Sequence, residues 1–453
     1  MKNYSIDRNT LVIKSNFCGV LDEKLKNIIV TNKIIKIISY SIECDFLNQL
    51  NFQGSDIKSL LISMTFDTQF INYSNKRNIP VINLHNLPKN LEILEIHSIF
   101  KLHVDQNIFN NLPCKLKTLS TNQYFDNTLN NLPNTLENLA ITCSMTNIEL
   151  LNYLPSSLKK LIVKISQQLM NTNSENTNSK LNFDSLPSTL ECLIILGFYD
   201  GELNCLPQKL KILHLPSEFK NEIINIPEKL EELKIPIDYN FLENFKYCNE
   251  LKKIFIGFSN KSHYNFQSHF DLTKIPKSIE EIVFGDDFNQ TLYELPQNLK
   301  KITFGFNFNP YSINFDCSSQ NISYIEFGYN FNGFIEQYPK NLKHLKFGRN
   351  FNKSIDNLPE GLVSLSIGEF FNILISKLPS TLEILEFDYF SGYSFDIEII
   401  PDSTHTIIFS KCMKTNKINI PEKLRNIIYA KNNITITHEL LKINFQGSIA
   451  YCD

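Results

Sequence analysis

The chain has 453 residues, which is enough for two or three ordinary domains or for one long array of repeats. Its 44 basic and 47 acidic side chains give a net charge of −3, so no basic excess favours binding to a nucleic-acid backbone. No apolar run reaches the roughly 18 residues of a membrane span, and the first residues lack the pattern of a signal peptide. We therefore expect a cytoplasmic, intracellular protein that binds neither nucleic acid nor membrane.

The amino-terminal segment, residues 1–62, is predicted to be a cap followed by degenerate repeats. Within it, LDEKLKNIIV at Leu21–Val30 is similar to IPEKLRNIIY at Ile420–Tyr429, near the other end of the chain. Residues 431–453 are predicted to form a carboxyl-terminal cap. The regular part of the chain is then the long middle region, residues 63–430.

This middle region repeats itself about every 20 residues. A dipeptide similar to Leu-Pro marks each restart, as at Pro339, Pro359 and Pro379, and most steps between such prolines are 20 to 23 residues long. One longer step contains a polar tract near residues 166–180, which its composition predicts to be a solvent-exposed loop. The period indicates one structural unit per restart.

Each unit has apolar residues at the third, sixth and eighth positions after the proline, as in Leu342, Leu345 and Phe347. The sixth and eighth positions are separated by one residue, so they point to the same side of a short strand. A glycine often follows, and we expect it to supply the positive φ of a tight corner. A Phe-Asn pair comes next, as at Phe351-Asn352. We expect the phenylalanine to fill the interior and the asparagine to bond to backbone at the corner.

A row of charged residues supports stacking of the units. The residue after the first leucine alternates in sign through ten units: Glu92, Lys117, Glu137, Lys159, Glu191, Lys211, Glu231, Lys252, Glu280 and Lys300. Equivalent residues of parallel neighbours lie about 4.8 Å apart, so opposite charges stabilise the pairing. We predict a structural role for this row, although Ser323 and Val363 interrupt it later in the chain.

The segment FGRNFNKSIDNLPEGLVSLSIG, residues 347–368, resembles the FNIP repeat of social amoebae and amoeba-infecting giant viruses. Its L-x-x-L-x-F pattern is similar to the strand of leucine-rich repeats. The resemblance implies a mainly β, leucine-rich-repeat-like solenoid with one parallel strand per repeat and little helix. We expect roughly 16–18 repeats of about 20–22 residues. If the source is viral, the protein would lie in the host cytoplasm.

No catalytic, cofactor-binding or metal-binding residues are predicted. The ten cysteines include no C-x-x-C pair, and the nine histidines include no H-E-x-x-H motif. A solenoid hydrolase or lyase would need clustered carboxylates. Glu326 and Glu386 are three units apart, or roughly 14 Å at strand spacing, which is too far for a carboxylate pair. We therefore expect that the protein is not an enzyme.

The predicted function is a non-enzymatic scaffold for protein–protein interaction that uses the strand-lined face of the solenoid. The residue between the sixth and eighth positions points to this face, and exposed apolar residues there can mark a contact site. The candidates for the partner-binding face are Ile162, Ile194, Phe255 and Val283. Inserted loops that cover these residues are an equally weighted alternative. The sequence does not identify the protein partner.

Family members that carry an F-box before the repeats suggest an alternative function. By this analogy the protein would be a substrate receptor of a cullin-type ubiquitin ligase. The first residues of this chain do not show the helical pattern of an F-box. The alternative therefore requires a degenerate or missing F-box.

Overall fold

The structure is a computed structural model of the chain, which divides into two units, residues 1–230 and residues 231–453. It describes residues 4–7, 10–13, 36–39, 56–64, 81–82, 87–98, 103–104, 111–125, 129–144, 150–166, 181–257, 270–286, 288–292, 294–315, 321–387, 399–409, 424–430 and 448–452.

The first unit consists of short strands. They are β1 (Tyr4–Asp7), β2 (Thr10–Ile13), β3 (Lys36–Ser39), β4 (Ser59–Met64), β5 (Val81–Ile82), β6 (Ile93–Ser98), β7 (His103–Val104), β8 (Thr118–Phe125), β9 (Asn138–Ser144), β10 (Lys160–Ser166), β11 (Cys192–Gly197) and β12 (Ile212–His214). Strand β1 pairs with β2 in antiparallel orientation. From β2 the pairing is parallel, in the order β2, β3, β4, β6, β8, β9, β10, β11, β12. Strands β5 and β7 form a separate parallel pair.

The second unit repeats this organisation. Its strands are β13 (Glu232–Ile235), β14 (Lys253–Ile256), β15 (Glu281–Phe284), β16 (Lys301–Thr303), β17 (Ser312–Asn314), β18 (Tyr324–Glu326), β19 (Phe334–Gln337), β20 (His344–Lys346), β21 (Ser364–Ile367), β22 (Ile384–Phe387), β23 (Thr406–Phe409), β24 (Asn426–Ala430) and β25 (Ser448–Cys452). Short 3-10 helices occur at Leu242–Phe245 and Leu272–Lys274. All the strands except β17 and β19 follow one another in one parallel order, and β17 pairs with β19. The predicted mainly β solenoid of parallel strands with little helix is confirmed.

The repeated apolar positions form the core of each unit. Leu342, Leu345 and Phe347 are buried, as predicted for the third, sixth and eighth positions after the proline. The backbone amide of Leu342 donates to the carbonyl oxygen of Pro339 over 3.2 Å, which closes a tight turn before the strand. The proline thus lies outside the strand, where its missing N–H group costs no sheet hydrogen bond.

Phenylalanine rings stack along the interior of the second unit. The Phe331 ring lies 3.9 Å from that of Phe327 in its own turn. It also lies 6.0 Å from Phe308 and 5.8 Å from Phe351 in the neighbouring turns. The phenylalanines of the repeated Phe-Asn pairs are buried and fill the interior, as expected from the sequence: Phe288, Phe308, Phe331, Phe351 and Phe371.

The asparagines of the Phe-Asn pairs form a hydrogen-bonded ladder at the corner of the second unit. In each step the side-chain Oδ1 atom accepts from the backbone N–H of the equivalent asparagine in the next turn. The four bonds run from Asn309 to Asn289, Asn332 to Asn309, Asn352 to Asn332, and Asn372 to Asn352, over 2.8 to 3.0 Å. The expected bonding of these asparagines to backbone is confirmed.

The glycines after the strands have two different roles. Gly257 has a φ of 80°, which is the positive angle expected from the sequence. That explanation is wrong for Gly328, Gly348 and Gly368, whose φ angles lie outside the positive region. At these positions a Cβ atom would meet the backbone of the preceding turn, at 1.8 to 1.9 Å from a glycine carbonyl oxygen. Close approach of the turns therefore requires glycine.

The boundaries 1–62, 63–430 and 431–453 remain predictions. The repeat predicted at Leu21–Val30 lies outside the described residues, and so does nearly all of the polar tract near 166–180. The repeat at Leu21–Val30 and the loop near 166–180 also remain predictions.

Candidate partner-binding face

The four candidate residues lie where the sequence predicts them, on the outward side of strands. In the first unit, Ile162 is on β10 and Ile194 is on β11. In the second unit, Phe255 is on β14 and Val283 is on β15. All four are half-buried, whereas the residues on either side of each along the strand are buried. The alternation therefore places the candidates on the strand face rather than in the core.

The candidates of the first unit are direct neighbours. Ile162 is opposite Ile194 in the parallel register, and Ala140 of β9 flanks Ile162 on its other side. Leu196, two residues after Ile194 on β11, is 38% exposed. We call Ala140, Ile162, Ile194 and Leu196 the apolar patch. It is a group of aliphatic side chains that the sequence identified only in part, because the predicted row began at Ile162 and omitted positions after the eighth.

The candidates of the second unit have a different environment. Phe255 is opposite Val283 on one side and Lys234 on the other. The Lys253 ammonium lies 4.7 Å from the centroid of the Phe255 ring, within the range of a cation–π interaction. Burial lowers the pKa of Lys234. A cation therefore already contacts the Phe255 ring, so this site is less open to an apolar partner than the apolar patch.

Further along the strand face of the second unit, polar side chains form ion pairs and hydrogen bonds with one another. Lys346 Nζ lies 2.8 Å from Glu326 Oε1, and the Tyr324 hydroxyl donates to Glu326 Oε2 over 3.1 Å. Burial, with the nearby Glu326 carboxylate as the next cause, raises the pKa of Tyr324 to about 12. In the register, Lys346 and Ser366 stand between Glu326 and Glu386. Glu326 thus stabilises the stack through its contacts with Lys346 and Tyr324.

The alternating charge row forms ion pairs between successive turns. The lysine ammonium lies 2.7 to 3.0 Å from the glutamate of the preceding turn in four pairs: Lys117–Glu92, Lys159–Glu137, Lys211–Glu191 and Lys300–Glu280. Hydrogen bonds from these lysines hold the pKa of Glu92, Glu191 and Glu280 below the ordinary value. The structural role predicted for the row is therefore confirmed for these pairs.

A stack of rings at a corner of the second unit was missed by sequence reasoning. The rings of Phe306 and Tyr329 are stacked at 4.5 Å, and the Arg349 guanidinium lies 5.2 Å from Tyr329 and 5.0 Å from Phe370. Arg349 also pairs with Glu369, with Nε and Oε2 separated by 2.5 Å. Phe306, Tyr329, Arg349 and Glu369 each follow a corner glycine, which was the available sequence signal. Because the faces of these rings contact one another, we infer that the stack stabilises the packing of neighbouring turns.

Comparison with known proteins identifies the repeat. The FNIP Repeat family model matches residues 264–307 and 335–370. The chain therefore contains FNIP repeats. No curated protein is significantly similar to it in sequence.

Solved structures of leucine-rich-repeat proteins resemble the FNIP-repeat chain in fold. A crystal structure of CroV588, described as a novel circular LRR protein, is 23% identical with a TM-score of 0.55, and the match covers 94% of this chain and 67% of that one. YopM from Yersinia enterocolitica WA-314 is 17% identical with a TM-score of 0.32, and the match covers 76% of this chain and 64% of YopM. The first likeness shows the fold alone, and the second is too low to support an argument.

The described part of the FNIP-repeat chain contains no group of three or more His, Cys, Asp or Glu residues that could hold a metal ion. Within that same part, no helix has the length and apolar character needed to cross a membrane. Cys114 and Cys205 carry free thiols at exposed positions.

Proposed function

We propose that the FNIP-repeat chain is a non-enzymatic, cytoplasmic scaffold that binds a protein partner through the strand face of its stacked turns. Repeat solenoids of the leucine-rich type generally serve protein–protein interaction. The observation that carries the proposal is the pairing of Ile162 with Ile194 on the outward side of β10 and β11. A partner that covers half-buried aliphatic side chains at solvent-facing strand positions removes apolar surface from water, which favours binding.

The four candidate residues do not contribute equally to this proposal. Ile162 and Ile194 belong to the apolar patch, where adjacent aliphatic side chains form one surface. Phe255 and Val283 are also adjacent, but Lys253 already contacts the Phe255 ring. We therefore assign the principal contact to Ile162 and Ile194 and a secondary contact to Phe255 and Val283.

The experiment is affinity purification of the tagged chain from amoeba lysate, with quantitative mass spectrometry. Three forms are compared: wild type, Ile162→Asp with Ile194→Asp, and Phe255→Asp. A stoichiometric partner should be recovered with wild type, lost with the double variant, and reduced with Phe255→Asp. Circular dichroism and urea unfolding establish that each variant is folded. Equal recovery of every stoichiometric partner with folded variants would show that the strand face is not the binding surface.

The ubiquitin-ligase alternative would need an adaptor-binding segment before the repeats. Residues 14–35 lie outside the described residues, and no observation favours this role over the plain scaffold. The same purification tests it, because a ligase receptor would recover the cullin adaptor together with its substrate.

A further inference from the structure

Five consecutive strands of the first unit, β8 to β12, contain two lysines and no carboxylate. Strands β8 to β12 read TLSTNQYF, NLAITCS, KLIVKIS, CLIILG and ILH. Their only fully charged side chains are Lys160 and Lys164, both on β10. In the second unit, by contrast, β13 to β16 alternate acidic and basic residues that pair between turns, as Lys301 does with Glu281 over 3.2 Å. Strands β8–β12 therefore lack the carboxylates that balance the lysines of β13 to β16.

The two lysines flank Ile162 on the same side of the strand. Both are exposed, and they are two residues before and two residues after Ile162. In the register, Lys160 is opposite Asn138 and Cys192, and Lys164 is opposite Thr142 and Leu196. Hence no carboxylate occupies the register positions on either side of Lys160 or Lys164.

Among the residues that the structure describes, neither Lys160 nor Lys164 forms an ion pair, whereas Lys159 pairs with Glu137 over 3.0 Å. Lys159 and Lys160, although adjacent in the chain, thus differ in their interactions. Lys159 belongs to the register-setting row, and its charge is balanced within the fold. The charges of Lys160 and Lys164 are not balanced by the described residues, which leaves them available to a partner.

The apolar patch and the two lysines together define the chemistry of a partner. In an extended strand, residues two apart are separated by about 6.7 Å, and residues four apart by about 13 Å. A partner in extended conformation with acidic residues four apart and an apolar residue between them would match Lys160, Ile162 and Lys164. The apolar side chain would extend over Ile194 and Leu196, and each carboxylate would accept a charge-assisted hydrogen bond from a lysine.

We propose that the strand face of β8–β12 binds an acidic, extended segment of a protein partner, with an apolar anchor on the apolar patch. This inference rests on the proposed scaffold function and specifies the class of partner for the same face. A nucleic acid fits less well, because two lysines around an aliphatic centre provide neither the row of phosphate contacts nor the aromatic stacking that single strands use.

The test uses a displayed library of random 12-residue peptides, selected against the folded full-length chain. Enriched peptides are synthesised, and their affinities are measured for wild type, for Lys160→Glu with Lys164→Glu, and for Ile162→Asp. The matched control is Lys209→Glu with Lys229→Glu, which changes net charge equally at exposed lysines outside the strands. Circular dichroism of each variant confirms folding.

We expect enriched peptides to contain acidic residues around an apolar one. Their affinity should fall at least about tenfold in the Lys160/Lys164 variant and in Ile162→Asp, remain near wild type in the control, and decrease as salt rises. Peptides that depend on Ile162 but carry no acidic residues would overturn the acidic partner class and leave the scaffold face intact. Peptides indifferent to all these face substitutions, or no enrichment at all, would contradict both proposals. Equal competition by a single-stranded DNA oligonucleotide would show a general anion site instead and also overturn the inference.

Discussion

The carbonyl oxygen of Gly328 lies 1.9 Å from the point that a Cβ atom would occupy on Gly348, in the next turn of the second unit. The obstacle is backbone, so no side-chain rotation can relieve it. Gly348→Ala should therefore force the two turns apart and destabilise the unit by about 1–3 kcal/mol, or more if the sheet hydrogen bonds nearby are lost. Urea unfolding monitored by circular dichroism measures the loss as a lower midpoint.

Gly361 provides the matched control for this substitution. A Cβ atom on Gly361 would be 3.4 Å from its nearest neighbour, the flexible end of Lys343. Gly361→Ala should therefore leave the midpoint within the range of an ordinary surface change, about 0.5 kcal/mol. If Gly348→Ala and Gly361→Ala had the same effect, close approach of the turns would not be the reason for glycine at Gly348.

The stacked rings of the second unit should contribute much of its stability. Phe331 is fully buried, and its ring contacts those of Phe327, Phe308 and Phe351. Phe331→Ala would remove these contacts and leave a cavity, at a cost of about 3–5 kcal/mol. The midpoint of urea unfolding should fall accordingly.

An exposed aromatic residue in the same region separates this effect from general loss of aromatic character. Tyr311 is 83% exposed, and its ring lies 5.7 Å from Phe334 in an edge arrangement. Tyr311→Ala should cost no more than about 1 kcal/mol, which is the scale of one such aromatic pair. A comparable loss in Tyr311→Ala and Phe331→Ala would contradict the assignment of the stability to the interior stack.

Much of the fold could be predicted because one pattern is repeated many times. The apolar residues at the third, sixth and eighth positions predict buried strands, and Leu342, Leu345 and Phe347, which occupy these positions in one unit, are buried. The alternating signs of the charge row predict which turns are neighbours, and Lys300 does pair with Glu280 of the preceding turn. Period and sign are properties of the sequence alone, so they need no coordinates.

Other features depend on distances that a sequence does not contain. The reason for glycine at Gly348 is the approach of another backbone, which the φ argument could not show. Phe255 was predicted as a candidate contact residue, but the sequence could not show that the flexible side chain of Lys253 lies over its ring. The position of Ile162 on the strand face was predictable. The unbalanced charge of its exposed neighbours Lys160 and Lys164 was not, because it depends on the strand register, which places no carboxylate beside them.

The asparagine ladder gives a prediction that distinguishes a hydrogen-bond acceptor from mere side-chain size. Asn332 Oδ1 accepts from the backbone N–H of Asn352 over 2.9 Å. Asn332→Ala would leave this half-buried donor without its partner, at a cost of about 1 kcal/mol. Asn332→Asp keeps an acceptor oxygen in the same place and should lose less. Thermal unfolding of both variants measures the difference, and an equal or larger loss in Asn332→Asp would show that the ladder does not depend on the acceptor.

The charge row of the second unit should make stability depend on pH. The hydrogen bond from Lys300 is the largest cause that holds the pKa of Glu280 below its ordinary value of 4.5. Because the folded-state pKa is depressed, the carboxylate contributes stability above pH 4.5, and this contribution is lost as pH falls through the folded-state pKa. Lys300→Met should therefore lower the urea midpoint at neutral pH, and the difference from wild type should shrink below about pH 4.5 and vanish once Glu280 is protonated. High salt should also reduce the difference, since the pair is exposed. The control is Lys229→Met, at an exposed lysine outside the row, which should show no such pH dependence. If the difference between Lys300→Met and wild type stayed constant down to pH 2, its cause would be lost packing of the lysine stem and not the ion pair.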